Sequence, residues 1–333
     1  MVTLELNQYN LIYISLNNCT SGCLGVIAII GAGRVGVAAA IYISMMELDD
    51  IVLIDIIKGR PQGEALDLAH ALSILGKSVS VTGSNDYKDI SGADIVLITA
   101  GFPRGPGMTR EELVAKNAEV VVDIARKVVE YAPNSVNIIT TNPLDAMVYL
   151  LYKATGFPRE RIIGFSGVLD SGRMKYYISR KLSISPASIE AIVIGQHGEK
   201  MLPLPRLSTV MGKPLTEILS ENDVEEITKE TIQAGARIIE LRGYSSSYGP
   251  GAGLAIMSEA VKKDQNKVFL ASACLNGEYG YKDVCVNVPV VLGKGGIKKI
   301  IELPLNEKEK QLLDESVDAI RKNIAQIPPK YLG

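Results

Sequence analysis

Val26-Ile27-Ala28-Ile29-Ile30 runs directly into Gly31-Ala32-Gly33-Arg34-Val35-Gly36, then into an Ala/Val/Ile-rich helical pattern, and then into Ile51-Val52-Leu53-Ile54-Asp55. A buried strand, a G-x-G-x-x-G turn, a helix and a second strand ending on an acid are the context in which this spacing grips a dinucleotide. Each glycine answers a steric demand: Gly31 a tight turn, Gly33 close approach of the backbone to a pyrophosphate, Gly36 intimate helix–strand packing. The helix that follows aims its N-terminal N–H groups and positive dipole end at the phosphates. Asp55 stands where a carboxylate accepts both hydroxyls of an adenosine ribose, and a phosphate there would meet its charge. The stretch therefore predicts NAD, with Lys58 and Arg60 nearby leaving tolerance for NADP as a weaker second cofactor. The bland alternative is a glycine-rich turn between a strand and a helix.

Strand and helix patterns alternate on either side of this unit through residue 164, which predicts a right-handed parallel α/β sheet. Strands are expected near 26–30, 51–55, 78–82, 94–99, 136–140 and 162–164, with helices near 34–47, 62–75, 110–131 and 144–155. The glycine turn, Asp55, the loop from Gly101, and Asn142 before Pro143 all fall at carboxyl ends of strands, the edge where open α/β sheets bind ligands. Beyond 164 the alternation changes. A helix near 169–183, a strand near 188–195, helices near 223–242 and 252–263, strands near 267–275 and 283–292 and a helix over 306–325 predict an α+β second domain. The cleft between the domains is the expected active site.

At 333 residues and 47% hydrophobic content the chain exceeds what one core usually organises. A net charge of −2 with no basic block gives no reason to invoke nucleic acid or a membrane surface. The longest apolar runs are strand-sized and far short of a membrane span. Residues 1–24 lack a positive n-region and a clear amphipathic period, so they read as a poorly ordered arm or an artefact of start-site choice. An intact native mass near 35.8 kDa would remove the second reading. Of four cysteines, Cys19 and Cys23 lie close together but without a nearby histidine. The expectation is no metal, and reduced structural thiols in a cytoplasmic protein.

Only two histidines exist, so a histidine catalyst is His70 or His197. His70 lies within an Ala/Leu-rich helix and reads as a packing or interface residue. His197, in Ile194-Gly195-Gln196-His197-Gly198, follows an apolar strand, and flanking glycines leave its ring accessible. Asp170 and Arg173 lie three apart on one helix face, which alone reads as a surface ion pair. The segment Gly101-Phe102-Pro103-Arg104-Gly105-Pro106-Gly107-Met108-Thr109-Arg110 has the glycines and prolines of a lid. Thr109 and Glu112 fit a capping box that starts the next helix and places Arg110 in its first turn. Two arginines on such a lid suggest anion capture, against a solvated charged loop.

Together these motifs are where a family likeness enters. From residue 25 to near its end the chain resembles the lactate/malate dehydrogenase family, especially malate dehydrogenases of the lactate-dehydrogenase-like type. The resemblance rests on Gly31-x-Gly33-x-x-Gly36, Asp55, Arg104-Gly-Pro-Gly-Met-Thr-Arg110, Thr141-Asn142-Pro143, Leu169-Asp170-x-x-Arg173 and Gly195-x-His197-Gly198. It implies a Rossmann doubly wound parallel sheet domain over 25–164, preceded by the 1–24 extension and followed by an α+β catalytic domain over 165–333. It further implies that His197 exchanges a proton with the substrate oxygen while hydride moves to or from the nicotinamide, and that Asp170 orients the imidazole and raises its pKa. Arg173 would grip the carboxylate beside the reacting carbon, in a two-pronged hold that lysine cannot copy. Arg110 would polarise the carbonyl and Asn142 would bond substrate or nicotinamide ribose, while Ser245 would line the pocket. Arg34, Val35 and Asn117 would complete the cofactor set.

In this family a neutral residue at the position of Arg104 goes with lactate and an arginine goes with malate. Oxaloacetate carries a second carboxylate for the guanidinium, whereas pyruvate would leave it buried beside a methyl group, at a cost of about 3–5 kcal/mol. Malate/oxaloacetate is therefore the implied substrate, and a cytoplasmic homotetramer, or a dimer, the implied assembly. Glu199-Lys200 departs from the acid-then-hydroxyl pair common among relatives, and the N-terminal extension has no expected counterpart. Three rivals stay open: another 2-hydroxy acid such as lactate, a metal-requiring NAD-dependent glycosidase, and a non-catalytic NAD-sensing protein. Rates with oxaloacetate against pyruvate, without added metal, separate them.

Overall fold

Alternation within Val26–Ile30 sends Ile27 and Ile29 to one face of the sheet and Ala28 and Ile30 to the other, and both faces are buried. A strand covered on both sides belongs in a parallel sheet flanked by helices. The computed structural model, which describes residues 25–103 and 109–332 with the backbones of Glu5–Leu6 and Ile12–Tyr13, builds it so. β1 (Val26–Ile30) is followed by α1 (Arg34–Met45), β2 (Asp50–Ile54), α2 (Arg60–Ile74), β3 (Val81–Ser84), β4 (Ala93–Ile98), α3 (Arg110–Tyr131), β5 (Val136–Ile139), α4 (Leu144–Thr155) and β6 (Ile162–Gly164). The strands pair in parallel in the order β3-β2-β1-β4-β5-β6. This is the doubly wound order, whose reversal between β1 and β4 opens a crevice at the carboxyl ends.

The remaining chain forms α5 (Gly167–Leu182), β7 (Val193–Gly195), β8 (Met201–Pro203), α6 (Glu221–Arg242), α7 (Tyr248–Lys262), β9 (Lys267–Asn276), β10 (Lys282–Gly293), β11 (Gly296–Ile300) and α8 (Glu307–Ala325). β9 and β10 make a long antiparallel ladder that continues into β7 and β8. Ser272 of β9 pairs with Gly164 of β6, so the two halves share one sheet at a single close contact. A Cβ at Gly164 would stand 2.6 Å from that of Ser272, which is why the seam takes glycine. The core on the Ile27/Ile29 face draws Ala39 and Ile43 from α1 and Leu254 and Met257 from α7; Val121 of α3 and Leu150 of α4 cover the other face.

Several boundaries differ from expectation, each for a local reason. The strand expected over 188–195 is two: Ile189–Glu190 joins a small separate sheet with Thr209–Val210, and β7 joins the large one. Between them Ile192 N–H is taken by Ser208 Oγ at 3.0 Å and leaves the ladder. α7 begins at Tyr248 rather than near 252, because Pro250 sits in a first turn that needs no N–H from it. β3 begins at Val81, and β8 and β11 were not expected. The expectation of reduced thiols is corrected for one pair: the β9–β10 register seats Cys274 opposite Cys285, and the two are joined by a disulfide. Cys19 and Cys23, like the rest of the expectation for residues 1–24 beyond one short antiparallel pairing, lie outside the described residues. His70 is exposed on α2, not packed within this chain.

Candidate active site

Gly31 takes φ +110°, a conformation that penalises any side chain, and a Cβ at Gly36 would collide with the Gly31 carbonyl. A Cβ at Gly33 would meet nothing within 4 Å, so this edge of the turn is open to a ligand. α1 has no acidic residue in its first turn and no side-chain cap, which leaves its leading N–H groups free for an anion. Asp55, at the end of β2, accepts the Ala32 N–H on Oδ2 at 2.9 Å and the Ile57 N–H on Oδ1 at 2.9 Å. The carboxylate is thus locked beside the turn, with Arg60 3.9 Å away. Thr99 Oγ1 donates to the Gly31 carbonyl at 2.9 Å and ties β4 to the same edge.

The second half brings a charged relay to that edge. Gln196 N–H and His197 N–H are fixed by Ser316 Oγ (2.6 Å) and Asp145 Oδ2 (2.9 Å) at the end of β7. His197 Nδ1 lies 2.7 Å from Asp170 Oδ2; a carboxylate only accepts, so in the neutral ring Nδ1 carries the proton and Nε2 the lone pair. The other Asp170 oxygen accepts Arg173 Nη1 at 3.1 Å, and Arg173 Nη2 reaches Ser246 Oγ at 3.3 Å. Asp170 is 1% and Arg173 13% exposed, so this ion pair has a buried carboxylate and is withdrawn from the surface. Burial pushes the imidazole pKa down, but the charge and hydrogen bond of Asp170, reinforced by the Asp145 charge, outweigh it and hold it above its ordinary value. The chain of contacts closes on the cofactor side, where the Arg34 guanidinium stacks 3.8 Å over the Tyr244 ring, two residues before Ser246.

The glycine turn with Asp55 at its side and the His197–Asp170–Arg173 cluster thus stand at one sheet edge. Residues 26–164 match the lactate/malate dehydrogenase NAD binding domain and residues 167–329 the lactate/malate dehydrogenase alpha/beta C-terminal domain. The chain belongs to the lactate/malate dehydrogenase family. It is 58% identical over 307 residues to the malate dehydrogenase of Pyrobaculum aerophilum, spanning 92% of this chain and 99% of that protein. The malate dehydrogenase of Caldivirga maquilingensis is 59% identical over the same coverage of each. The solved structure of the malate dehydrogenase from Aeropyrum pernix superimposes with a TM-score of 0.90 at 54% identity, over 92% of this chain and 100% of that one. The lactate/malate dehydrogenase fold is thus present along with its motifs, and the protein is an NAD-dependent oxidoreductase of that family.

Within this dehydrogenase, Gly31, Gly33, Arg34, Val35, Gly36 and Asp55 lie together at the β1 turn, and His197, Asp170 and Arg173 form the relay. Thr109 caps α3 as expected, its Oγ1 accepting the Glu112 N–H while Glu112 accepts the Thr109 N–H. Arg110 starts α3; its side chain, like Arg104 whole, lies outside the described residues. Asn142 is exposed at the end of β5. Asn117, expected in the cofactor set, is buried on α3: Nδ2 donates to Phe102 O (3.2 Å) and Asn142 O (2.6 Å), and Oδ1 accepts the Phe102 N–H (2.7 Å). It ties Phe102 to the Asn142 turn. The hydroxyl that touches Arg173 is that of Ser246, beside the exposed Ser245. Sequence reasoning missed Asp145, Ser246 and Ser316. Only Asp145 carried a signal, a lone carboxylate in the apolar run Leu144-Asp145-Ala146-Met147-Val148. Among the described residues no group of three or more His, Cys, Asp or Glu could hold a metal ion.

Proposed function

We propose that the chain is a malate dehydrogenase that interconverts (S)-malate and oxaloacetate with NAD(H), and that the buried His197–Asp170–Arg173 relay carries the reaction. The N–H groups of the Gly31–Gly36 turn, with Arg34 and Val35, hold the pyrophosphate, and Asp55 takes the adenosine ribose. NAD(H), when bound, supplies the hydride acceptor or donor. In oxidation His197 Nε2 accepts the proton of the C2 hydroxyl, and Asp170 stabilises the imidazolium that results. In reduction the same nitrogen returns the proton to the carbonyl oxygen. Arg173 grips the C1 carboxylate, Arg110 polarises the carbonyl as the lid closes, and Asn142 bonds substrate or nicotinamide ribose. Ser245 lines the pocket, and Arg104 pairs with the second carboxylate. Asn117 acts from behind, holding the lid root and the Asn142 turn in register.

Asp55 supports NAD as the principal cofactor, while Lys58 and Arg60 leave NADP as a weaker second. The division into a 1–24 extension, a 25–164 cofactor domain and a 165–333 catalytic domain follows the change in topology after β6. Exposed Ile41, Tyr42 and Met45 on α1 beside Tyr248 and Ile256 on α7 support assembly, as a homotetramer or a dimer. Light scattering would give about four times, or twice, the mass of one chain. No helix of the described residues is long and apolar enough to cross a membrane, and a dissolved substrate and cofactor suit a cytoplasmic enzyme.

The test is NADH oxidation with saturating oxaloacetate and, separately, saturating pyruvate, without added metal. Strong turnover with oxaloacetate alone is expected. A preference for pyruvate would move the substrate to lactate and overturn the role of Arg104, and Arg104→Gln should reduce oxaloacetate turnover far more than pyruvate turnover. Because the imidazole pKa lies above its ordinary value, malate oxidation should rise with pH through a midpoint on the alkaline side of 6.5. Oxaloacetate reduction should fall through it.

A further inference from the structure

Asp145 is the one fully buried carboxylate at the site that the reaction above leaves unused. It stands in the first turn of α4, two residues after Pro143, and reaches across the seam between the halves. Oδ1 accepts the Ser272 hydroxyl of β9 at 2.7 Å, at the residue where β9 meets β6, and Oδ2 accepts the backbone N–H of His197 at 2.9 Å. A structural residue at this spot needs no charge, since an amide would pair both neighbours, its oxygen accepting the His197 N–H and its NH2 donating to the Ser272 hydroxyl, without desolvating an ion. A carboxylate here therefore adds something that packing does not require. We infer that Asp145 is a positioning residue for the proton transfer: it fixes the His197 backbone from the cofactor half and lends the imidazole a second negative charge.

Among the described residues, the charged groups that act most on the imidazole are Asp170 and Arg173 of α5 and Asp145 of α4. Asp170 favours imidazolium through the ring, Arg173 opposes it, and Asp145 adds to Asp170 from the backbone side. Burial pushes the Asp145 pKa up to about 6, against the hydrogen bonds from Ser272 and His197, so above that pH it is largely ionised. Asp145 also restrains His197 mechanically. Gly195 and Gly198 flank the catalytic loop with positive φ, and Asp145 ties its centre to the rigid start of a helix on the other half. The proton carrier and the cofactor edge are thereby held in one frame.

This rests on the reading of His197 as the proton carrier, and the experiment keeps the two apart. Asp145→Asn preserves the shape and an acceptor for His197 N–H while removing the charge; Asp145→Ala removes both. For Asp145→Asn the midpoint of the malate-oxidation profile should move about 0.5–1 pH unit toward acid, because the imidazolium has lost a stabilising charge. Plateau kcat should fall about threefold for Asp145→Asn and about tenfold to a hundredfold for Asp145→Ala, with the KM for malate little changed in either. A profile that stays at the wild-type midpoint in Asp145→Asn would overturn the inference. Should that variant not fold, Ser272→Ala removes one hydrogen bond and holds the carboxylate more protonated. It should move the midpoint the same way by less, and an unmoved midpoint overturns the inference equally. His197→Asn is the control: if it retains turnover, the proton-carrier reading itself fails, whatever Asp145 does.

Discussion

The cofactor edge is built by one continuous unit, β1–α1–β2, in which the glycine turn and Asp55 are neighbours by chain connectivity and by adjacent parallel strands. The relay proposed for the proton is built from four distant places: Asp145 on α4, Asp170 and Arg173 on α5, His197 after β7, and Ser246 before α7. Local geometry specifies the first, so its parts stand nearly independent of one another. The second exists only when the halves pack together, and its two buried carboxylates, Asp145 and Asp170, are satisfied by groups from other elements or turns. Loss of a relay member leaves a charged partner unpaired, while loss of Asp55 at the cofactor edge leaves only neutral backbone N–H groups without theirs.

The largest effect should come from His197. His197→Asn removes the exchanging nitrogen and is expected to lower turnover by about 10²–10⁴-fold, the span typical of a lost acid–base catalyst. NADH affinity, read by nicotinamide fluorescence, should stay within about twofold if the two regions are separable. Collapse of NADH binding in this variant would break the contrast and make His197 a structural residue of the cofactor edge.

An intermediate effect is expected on the other side. Asp55→Ala loses the acceptor for Ala32 and Ile57 together with the ribose partner, and should weaken NADH by about tenfold, or about 1.4 kcal/mol. The midpoint of the malate pH profile should not move, because Asp55 is not among the groups that bear on the imidazole. A displaced midpoint would show that the cofactor edge and the relay titrate as one unit. Turnover with NADP set against NAD in the same variant sharpens the point, since removal of the carboxylate should narrow the preference.

The same contrast explains what could be read without coordinates. Strand periodicity and glycine spacing made β1, α1 and β2 legible, and Thr109 with Glu112 announced the start of α3, because each signal lies within a few residues of its effect. The bare sequence singled out His197 as an accessible loop histidine and Asp170 with Arg173 as an i, i+3 ion pair; only the family likeness put the three together, as their hydrogen bonds do. Ser316 and Ser246 were not legible at all, since a serine's partner is set by how α8 and the α6–α7 turn dock. The Cys274–Cys285 bond escaped for a related reason: it depends on the register of a ladder whose hairpin turn fixes which residues face each other. Ile189–Glu190 and β7 were merged because Ile189 and Ala191–Ile194 make a nearly continuous apolar run. A hydroxyl sixteen positions away, Ser208, divides them.

The smallest effect concerns what joins the two regions away from the ligands. Arg159, just before β6, grips Glu278 at the β9–β10 turn through Nη1–Oε2 (3.1 Å) and Nη2–Oε1 (2.9 Å), and Nη1 also reaches the Cys274 carbonyl at 3.1 Å. Partial burial pushes the Glu278 pKa up, but the Arg159 guanidinium and the Asn276 N–H outweigh it and hold the carboxyl down at about 2. A folded pKa below the ordinary 4.5 means that the stabilisation is fully present above 4.5 and is lost as pH falls through about 2. Glu278→Gln should therefore cost about 1 kcal/mol at neutral pH, a shift of about 1–3 °C in thermal midpoint. The gap from wild type should close as the pH is lowered from 6 toward 2. If it stays constant instead, the loss is one of packing or hydrogen bonding and the charge is idle. If the variant at neutral pH splits one melting transition into two, this clamp is part of what makes the halves unfold together, and the relay that spans them inherits its rigidity from contacts far from the substrate.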